Sequence, residues 1–557
     1  MVTNILSGSG QQLADSTSDV PFKDEIVRWS WIAYCLCVLY QLIFYFDLTN
    51  IMCMASVGLA WAVTTRWIFN HEILSRFPFS TFLFLGFTST QLYLPLIFTT
   101  LEGKSLLFNL ELPELVFAHS TAALFVLLLA HGFYRLVAKA SGNRSFSLFQ
   151  KAGFFTPPTE RQMWLMGLVG IAAAYYVYFT TPTAEDGRVV VGDPADKFIS
   201  GFLPFQYAPF FIPLRRLYGG DEINLKKAVP LLLVYTLAMV AISVGRNSTG
   251  ALMFGFTAVA FGYFLGLLLG VYKARLFTLR NAIIAGIGIW LLVGPVSDLR
   301  TAMVIVREQR ATVSASELVN LTIDAYFDKE AIADRRNFDE TRDDEWDERY
   351  LSNVMTARFA NIKFNDINLV SAMEVREHDP DMYEFSIDYL LGGLPTPVLK
   401  FLNIDIDKEL VYGLSIGDYL YMASGGYGVV SSYRSGHFAG SGIAAFGWYY
   451  LLFMGIGMIF IFYIFDKFYM LKTLPGESPD EPDRKVYLFS LCGLLSLNTV
   501  FLYMSALQTV VQIGTFLYRG WIQLALLYFI VFHVTRIFSG SFMKNSELVK
   551  TLKRFRV

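Results

Sequence analysis

The sequence has few charged residues and few cysteines. Only 17% of its 557 residues are charged, whereas soluble domains carry about 25%, so a soluble globular enzyme is not expected. Its apolar content of 54% also excludes an intrinsically disordered chain. Because all the cysteines fall in apolar stretches, neither a disulfide framework nor a cysteine-based metal site is expected. They are Cys35, Cys37, Cys53 and Cys492.

The motifs of familiar enzyme chemistry are also missing. There is no GxGxxG fingerprint, no phosphate loop with Lys and Ser/Thr, no HExxH and no Gly-x-Ser-x-Gly elbow. The acidic run from Asp343 to Glu348 lacks the spacing of a calcium loop and indicates a solvated surface loop. Nucleotide-driven transport and classical hydrolase chemistry therefore have no sequence support, and neither a metal nor a cofactor is expected.

Long apolar runs are abundant. A spanning helix needs about 20 apolar residues, and twelve stretches qualify as candidates, which predicts an all-α polytopic membrane protein. The sixth stretch contains Pro204, Pro209 and Pro213, so we expect it to be kinked or re-entrant. The predicted spans are residues 29–48, 51–65, 79–98, 116–134, 163–179, 199–214, 228–245, 248–272, 281–299, 441–465, 486–503 and 520–535.

The distribution of Lys and Arg predicts the orientation. With both termini in the cytoplasm, the cytoplasmic segments carry 26 basic residues and the short outer loops carry five. One long external segment, residues 300–436, has a net charge of −10, while the rest of the chain is +8. A segment of this length can hold an independent fold, and its helix-like stretches are Ala315 to Phe327 and Glu348 to Val375.

These features predict five regions along the chain. A polar cytoplasmic segment, 1–28, precedes a membrane domain of nine spans, 29–299. The external lobe, 300–436, is followed by a second membrane domain of three spans, 437–535, and a basic cytoplasmic tail, 536–557. The large loop between the ninth and tenth spans is therefore the main feature outside the membrane.

Arginines on the outer side are the most informative polar residues. Arg246 lies in AISVGRNSTGALMF, between two apolar runs with only a short connection. An arginine at the edge of hydrocarbon is costly unless it is paired, and its planar guanidinium fits phosphate oxygens bidentately. This predicts a phosphate or pyrophosphate clamp. The alternative is a side chain that simply extends to the interface.

Arg434 and His437 lie three residues apart, directly before the tenth predicted span. At headgroup level an arginine can bind phosphate. A histidine can act as an acid, a base or a hydrogen-bond donor. The alternative is a structural role for both side chains.

Three further arginines are candidates. Arg300 ends the ninth predicted span, and Asp298 two residues earlier offers a local ion pair as the alternative. Arg519 lies just outside the last span, where extension to the interface is the alternative. Arg358 lies on a predicted amphipathic helix, where a solvated helix face is the alternative.

Three stretches of the sequence resemble Wzy-type O-antigen polymerases, which belong with the O-antigen ligases among membrane glycosyltransferases of the GT-C type. VGRNSTGALMFGF is similar to the family's turn of small residues and arginine, which places Arg246 on the family's arginine. LLGGLPTPVLKF through HFAGSGIAAFGWYYLL is similar to a proline-rich stretch followed by a helix that carries Phe446–Gly447. Tyr518–Arg519–Gly520 is similar to an Arg-Gly pair that opens the final helix.

The resemblance implies a GT-C-like glycosyltransferase on the outer face of the bacterial inner membrane. It would polymerise undecaprenyl-pyrophosphate-linked oligosaccharide repeat units, which serve as donor and acceptor, into O-antigen or a similar surface polysaccharide. Membrane lipids and a chain-length regulator are further expected partners, whereas nucleic acid is not. The arginines would stabilise the pyrophosphate leaving group without a metal. The resemblance carries over to Arg246, Arg434 and Arg519. Taken together with the residue patterns above, the predicted catalytic residues are Arg246, Arg300, Arg434 and His437, and the predicted substrate-binding residues are Arg358, Arg519, Tyr427 and Tyr433.

Several alternatives remain open. His437 is the first candidate for a general base, and Glu374 or Asp388 the second. An O-antigen ligase, which transfers finished glycan to lipid A core, shares the fold and the use of arginine. A polysaccharide flippase or another transporter is the alternative from a different class. The absence of a detectable internal repeat and the large outer segment count against transport.

The proposed clamp at Arg246 yields a direct prediction. Arg246→Ala should abolish long polymer in the cell while the protein still inserts and accumulates, because the leaving phosphate loses its cation. Arg246→Lys tests whether the planar fork is needed beyond the point charge. The measurement is the chain-length ladder of the surface polysaccharide, and a normal ladder in Arg246→Ala would rule out the clamp.

Overall fold

The structure is a computed structural model of the chain. The residues that it describes are 21–140, 145–179, 198–220, 225–245, 247, 249–274, 278–279, 283, 286–288, 290–291, 294–307, 309, 312–341, 346–376, 378–426, 434–474 and 484–540. Much of the ninth predicted span, 281–299, lies outside these residues.

The described chain is mainly α-helical, and seven of its helices are long and apolar enough to cross a membrane. The predicted all-α, membrane-type architecture is therefore confirmed, whereas the count of twelve spans is not reached in the described residues. A shorter apolar helix covers Phe254–Leu268. The seven helices are Phe22–Phe44, Leu48–Ile68, Pro78–Leu101, Pro113–Lys139, Lys226–Gly245, Tyr449–Asp466 and Val511–Phe538.

In the described residues, ten α-helices precede the long segment, and two of the apolar helices in this part contain a π-helical turn. The turns are Thr64–Ile68 and Ser89–Tyr93. The α-helices are α1 (Pro21–Phe44), α2 (Leu48–Val63), α3 (His71–Arg76), α4 (Pro78–Thr88), α5 (Leu94–Leu101), α6 (Pro113–Ala140), α7 (Ser147–Lys151), α8 (Glu160–Phe179), α9 (Leu225–Gly245) and α10 (Thr249–Leu268).

The long segment contributes nine helices to the described chain. They are α11 (Pro295–Ile305), α12 (Ala315–Phe327), α13 (Lys329–Thr341), α14 (Val354–Ala357), α15 (Ile362–Glu374), α16 (Pro380–Gly392), α17 (Thr396–Phe401), α18 (Lys408–Gly413) and α19 (Ile416–Ala423).

After the long segment, the part of the chain that the structure describes contains six α-helices and an antiparallel hairpin. The helices are α20 (Phe438–Phe446), α21 (Tyr449–Asp466), α22 (Leu491–Leu495), α23 (Leu497–Phe501), α24 (Val511–Thr515) and α25 (Trp521–Phe538). A π-helical turn, Phe516–Gly520, joins α24 to α25. In the hairpin, β1 (Tyr469–Leu474) pairs with β2 (Arg484–Phe489), so that Tyr469 lies opposite Phe489.

The kink predicted from the prolines of the sixth span is confirmed. Residues Leu203–Leu217 form a 3-10 helix that contains Pro209 and Pro213, with a non-helical kink at Leu214. Proline removes a backbone donor and clashes with the preceding turn, so a straight α-helix cannot form here. The element packs against α8, where a Cβ on Gly170 would lie 1.9 Å from the backbone nitrogen of Gln206.

The tenth and eleventh spans were predicted incorrectly as single helices. The tenth divides into α20 and α21 at Gly447, whose φ of 53° lies in the left-handed region that favours glycine. The eleventh begins as strand β2 and continues as the short helices α22 and α23. Pairing with β1 satisfies the backbone groups of residues 484–489, so they have no need of a helix.

The long segment does not fold as a separate unit in its described central part. Its predicted helix at Ala315–Phe327 is confirmed as α12, but the stretch from Glu348 to Val375 is not one helix. It forms α14, a turn and α15, and residues such as Tyr350 and Leu369 belong to the same hydrophobic core as the apolar helices. Burial of α15 against α6 and α20 explains why an independent core is not needed.

A buried aspartate holds the start of α4. The carboxylate of Asp466, the last residue of α21, accepts hydrogen bonds from the backbone nitrogens of Phe79 and Ser80 at 2.9 and 3.1 Å. These are free amides of the first turn of α4, so one helix caps another. The second carboxylate oxygen accepts from the hydroxyls of Ser80 and Tyr134, and Ser80 also contacts His131.

A second buried aspartate fixes the start of α6. Asp366 on α15 accepts hydrogen bonds from the backbone nitrogens of Glu111 and Leu112 at 2.8–3.1 Å. Its negative charge is balanced by Lys363, whose ammonium lies 2.8 Å from the carboxylate with both side chains buried. The long segment is thereby attached to the opposite end of the bundle from Asp466.

The Asp466 cap predicts a large loss of stability on truncation. Asp466→Ala leaves buried donors at Phe79, Ser80 and Tyr134 unpaired, and should lower the free energy of unfolding by about 3 kcal/mol or more. Asp466→Asn should lose less, because an amide oxygen can still cap the two backbone amides. The measurement is thermal or chemical unfolding of the protein in detergent.

The matched control is Glu72→Ala, which removes an exposed carboxylate whose pairing with Arg76 at 3.6 Å is loose. This change should alter the free energy of unfolding by about 0.5 kcal/mol or less. Equal losses of unfolding free energy in Asp466→Ala and Glu72→Ala would show that the cap between helices stabilises the protein no more than an exposed carboxylate does.

Candidate functional site

Arg434 lies at the centre of a polar and aromatic group that reaches solvent. Its guanidinium carbon lies 3.9 Å from the ring centre of Tyr421 and 5.8 Å from that of Trp346. Asp418 pairs with Arg434 Nη1 at 3.4 Å. Glu348 completes the group through the hydrogen bonds described below. We call these five residues, Arg434, Asp418, Tyr421, Trp346 and Glu348, the Arg434 cluster.

Helix α19 fixes the position of Arg434. Ser415 and Asp418 form a capping box at the start of α19, and Asp418 also accepts a hydrogen bond from the Arg434 backbone nitrogen at 3.1 Å. The Ser415 hydroxyl lies 2.6 Å from the Arg434 carbonyl oxygen. The chain comes so close that a Cβ on Gly417 would lie 2.4 Å from that oxygen, so only glycine fits there without a shift.

Only one of the two carboxylate oxygens of Glu348 accepts hydrogen bonds from the described residues. Its Oε1 accepts hydrogen bonds from the Trp346 indole at 2.9 Å and from the Ser435 backbone nitrogen at 3.5 Å. Within the described part of the chain, no donor lies on Oε2. Glu348 keeps contact with solvent, so this oxygen is available to a ligand.

The stretch that carries Glu348 is fixed to the loop between α5 and α6. Asp347 beside it forms an ion pair with Arg349 at 2.7 Å. These attachments hold Glu348 in place without using its own carboxylate. The hydrogen bonds run from Asn109 Nδ2 to Asp347 at 2.8 Å, from the Tyr350 hydroxyl to Leu106 O at 2.8 Å, and from the Ser352 and Asn353 nitrogens to Glu102 at 2.8 and 3.0 Å.

Arg434 and Glu348 are each only partly satisfied by their neighbours in the cluster. Desolvation by the surrounding protein raises the pKa of Glu348, although the hydrogen bonds from Trp346 and Ser435 and the charge of Arg434 oppose this rise. The 3.4 Å pair with Asp418 is longer than the ~2.7–2.9 Å of strong charge-assisted hydrogen bonds. The buried Nε of Arg434 has no partner among the described residues, so the guanidinium retains donors for an anion.

His437 does not fit the general base predicted for it. Its Nδ1 accepts a hydrogen bond from the Ala439 backbone nitrogen at 3.3 Å and caps α20, so in the neutral ring Nε2 carries the proton. Burial, with a smaller effect from His119, lowers the pKa of His437 to about 3. Because a neutral imidazole becomes charged when it accepts a proton, this buried site opposes that role.

Arg519 and Arg300 lie away from the cluster. Arg519 Nη1 donates to Gly393 O at 3.2 Å, just past the end of α16, where a cation is favoured by the helix dipole. Arg300 lies on α11. Asp298 pairs with Lys329 at 2.8 Å and with Arg336 at 2.7 Å.

Arg358 lies in the turn between α14 and α15, and the predicted amphipathic helix at this position is wrong. The hydrogen bond from the Asn361 backbone nitrogen to Thr90 O at 3.2 Å holds this turn against the π-helical turn Ser89–Tyr93. Arg358 is exposed, and the described residues offer it no hydrogen bond or ion pair. The remaining predicted site residues, Arg246, Tyr427 and Tyr433, lie outside the described residues.

A groove of about 490 Å³ opens at the other end of α20. Burial and the charge of Glu384 raise the pKa of Asp388 in this groove, while Glu374, the other carboxylate considered as a base, is exposed at the end of α15. The groove is lined by His378, Pro380, Tyr383, Glu384, Ile387, Asp388 and Ala445.

Glu348 and Trp346 were not among the predicted site residues, because they belong to an acidic run that predicts a solvated loop. The signal was present in Trp346, which interrupts the acidic residues, and in Tyr350, which follows them and is buried. In the described residues, no group of three or more His, Cys, Asp and Glu could hold a metal ion. Comparisons with protein-family models, curated proteins and solved structures found no match.

The cap at His437 predicts a pH-dependent stability. The unfolded chain takes up a proton at this histidine below about pH 6.5, whereas the folded chain does so only near pH 3. The stability that the folded protein gains from a neutral His437 is complete above about pH 6.5. It is lost as the pH falls, and the free energy of unfolding decreases by on the order of 3 kcal/mol between pH 7 and pH 4.

His437→Asn keeps the cap, because asparagine is a good N-cap residue, but removes this titration. Its unfolding midpoint should therefore fall less than that of the wild type between pH 7 and pH 4. Thermal unfolding of both proteins in detergent across this range gives the comparison. Parallel curves would mean that His437 is not held neutral in the folded protein.

Proposed function

We propose that the protein polymerises polyprenyl-pyrophosphate-linked oligosaccharides on the outer face of a membrane. The observation that carries this proposal is the Arg434 cluster, in which an arginine with available donors lies on aromatic rings beside an accessible carboxylate. The all-α, membrane-type fold is consistent with a substrate anchored in lipid. The sequence resemblance to O-antigen polymerases points to the same substrate class.

Each part of the cluster has a role in this reaction. The guanidinium of Arg434 would bind pyrophosphate oxygens and stabilise the charge that develops as the sugar–phosphate bond breaks. The rings of Trp346 and Tyr421 provide apolar faces against which sugar rings can pack. Arg246, placed on the family's arginine by resemblance, would supply a second cation to the same leaving group.

Arg434 was expected to act with a histidine base, but its surroundings suggest a different division of roles. The aromatic ring of Tyr421 fixes the plane of the guanidinium by a cation–π contact. A fixed cation needs little reorganisation when charge develops, and this is the main source of electrostatic catalysis. The charge would come from arginine, so the proposed reaction needs no divalent cation.

The test is chain extension by the purified, detergent-solubilised protein with a lipid-linked repeat unit. Arg434→Ala should lower the rate of extension by about 100- to 1,000-fold, because a preorganised donor to the leaving group is lost. Release of the lipid pyrophosphate and the ladder of product lengths are measured together. A chelator should leave the wild-type rate unchanged.

The matched control is Arg336→Ala, which removes an arginine of the same segment that pairs with Asp298 instead. It should retain wild-type extension, and equal activity in Arg434→Ala would contradict the proposed role. Lipid A core is added as a second acceptor. Transfer to core without chain extension would indicate a ligase, while flipping of the substrate without bond cleavage would indicate a transporter.

A further inference from the structure

The hydrogen bonds around Glu348 use only one of its two carboxylate oxygens, and the other oxygen is the basis of a further function. Oε1 is held by the Trp346 indole and the Ser435 amide, which fixes the orientation of the carboxylate. Oε2 has no donor among the described residues, although the Trp346 indole binds the same carboxylate and the charge of Arg434 acts on it. An oriented carboxylate with one available oxygen is the arrangement that accepts a proton from a bound hydroxyl.

Both sides of this site are fixed independently. The Glu348 side is attached to the loop before α6, through Glu102 and Leu106. The Arg434 side is attached to α19 through Asp418. A reacting group held between them would therefore meet a base and a cation whose separation does not depend on the substrate.

We propose that Glu348 is the catalytic base of chain extension and accepts the proton of the attacking sugar hydroxyl; this inference rests on the function proposed above. The acceptor hydroxyl oxygen forms a bond to the anomeric carbon of the donor sugar. The bond from that carbon to the pyrophosphate oxygen breaks, and its electron pair leaves with the pyrophosphate. The hydroxyl proton passes to Glu348 Oε2 and then to water, while Arg434 stabilises the departing pyrophosphate.

Two of the three bases considered from sequence, His437 and Asp388, are poorer choices. His437 uses its only unprotonated nitrogen to cap α20 and is buried. Asp388 lies in the groove by Ala445, at the far end of α20 from His437. Eight residues separate His437 from Ala445 on this helix, a rise of about 12 Å, so Asp388 lies at the opposite end of α20 from the segment that carries Arg434.

The pH dependence of extension should report this base. The charged groups that act on Glu348 are Arg434 from the segment before α20 and Asp347 from its own stretch, with desolvation as the larger effect. Because a base works only when it is deprotonated, the rate should fall on the acidic side, with an apparent pKa above the usual value of about 4.3.

The experiment measures extension by full-length wild type, Glu348→Gln and Glu348→Ala with the same lipid-linked repeat unit. Glu348→Gln should extend about 100- to 10,000-fold more slowly, the usual contribution of a general base, and should lose the acidic limb of the pH profile. Sodium formate should partly restore extension by Glu348→Ala, because a small carboxylate can replace the missing base. Sodium chloride at the same concentration should not.

Two control variants make the result specific. Glu384→Gln is the same chemical change at an exposed position of α16, and Asp388→Asn removes the rival carboxylate. Both should extend at the wild-type rate, and the unfolding midpoint of Glu348→Gln should match that of Glu384→Gln.

Extension by Glu348→Gln within a few-fold of the wild type would overturn the assignment of the base and leave the proposed function intact. Loss of extension in Asp388→Asn, with normal extension in Glu348→Gln, would also overturn the assignment and would indicate that Asp388 is the base. Failure of the wild type to extend the chain would instead refute the proposed function, and the inference with it. Absence of formate rescue in a folded Glu348→Ala protein would count against proton transfer by this residue.

Discussion

A carboxylate from one helix accepts hydrogen bonds from the free backbone amides at the start of another, and such caps hold the bundle together. Asp466 ends α21 and caps α4, while Asp366 on α15 binds the residues that precede α6. No water is available within a bilayer to satisfy such groups, so each cap must come from a neighbouring segment. The two aspartates lie at opposite ends of the bundle and fix the positions of α4 and α6, the helices that much of the chain surrounds.

The cap from Asp366 also explains why the long segment belongs to the bundle. The segment buries α15 between α6 and α20 and shares the hydrophobic core of the apolar helices. Its central part is thereby held against the loop between α5 and α6, which positions Glu348. The walls of the Arg434 cluster thus come from two parts of the long segment that are about 70 residues apart in the chain, at Trp346–Glu348 and Asp418–Arg434.

The cluster contains one cation and two carboxylates, and no tight ion pair joins them. Arg434 has one long ion pair with Asp418 and stacks on Tyr421, while Glu348 is held by neutral donors. A tight Arg434–Glu348 pair would have used the donors and the acceptor that the proposed reaction requires.

The sequence by itself determined the membrane-type all-α class, the proline-broken element at Leu203–Leu217 and helix α12, because apolar content, proline and local helical pattern are properties of neighbouring residues. It also drew attention to Arg434. Only the tertiary structure decided that the tenth predicted span breaks at Gly447, that residues 484–489 pair as a strand, and that His437 serves as a cap. The same holds for Glu348, whose acidic neighbours indicate a solvated loop until the contacts with Ser435 and Trp346 are known. Hydrogen bonds and desolvation between residues distant in the chain set the chemistry of a titratable group, and no local pattern records them.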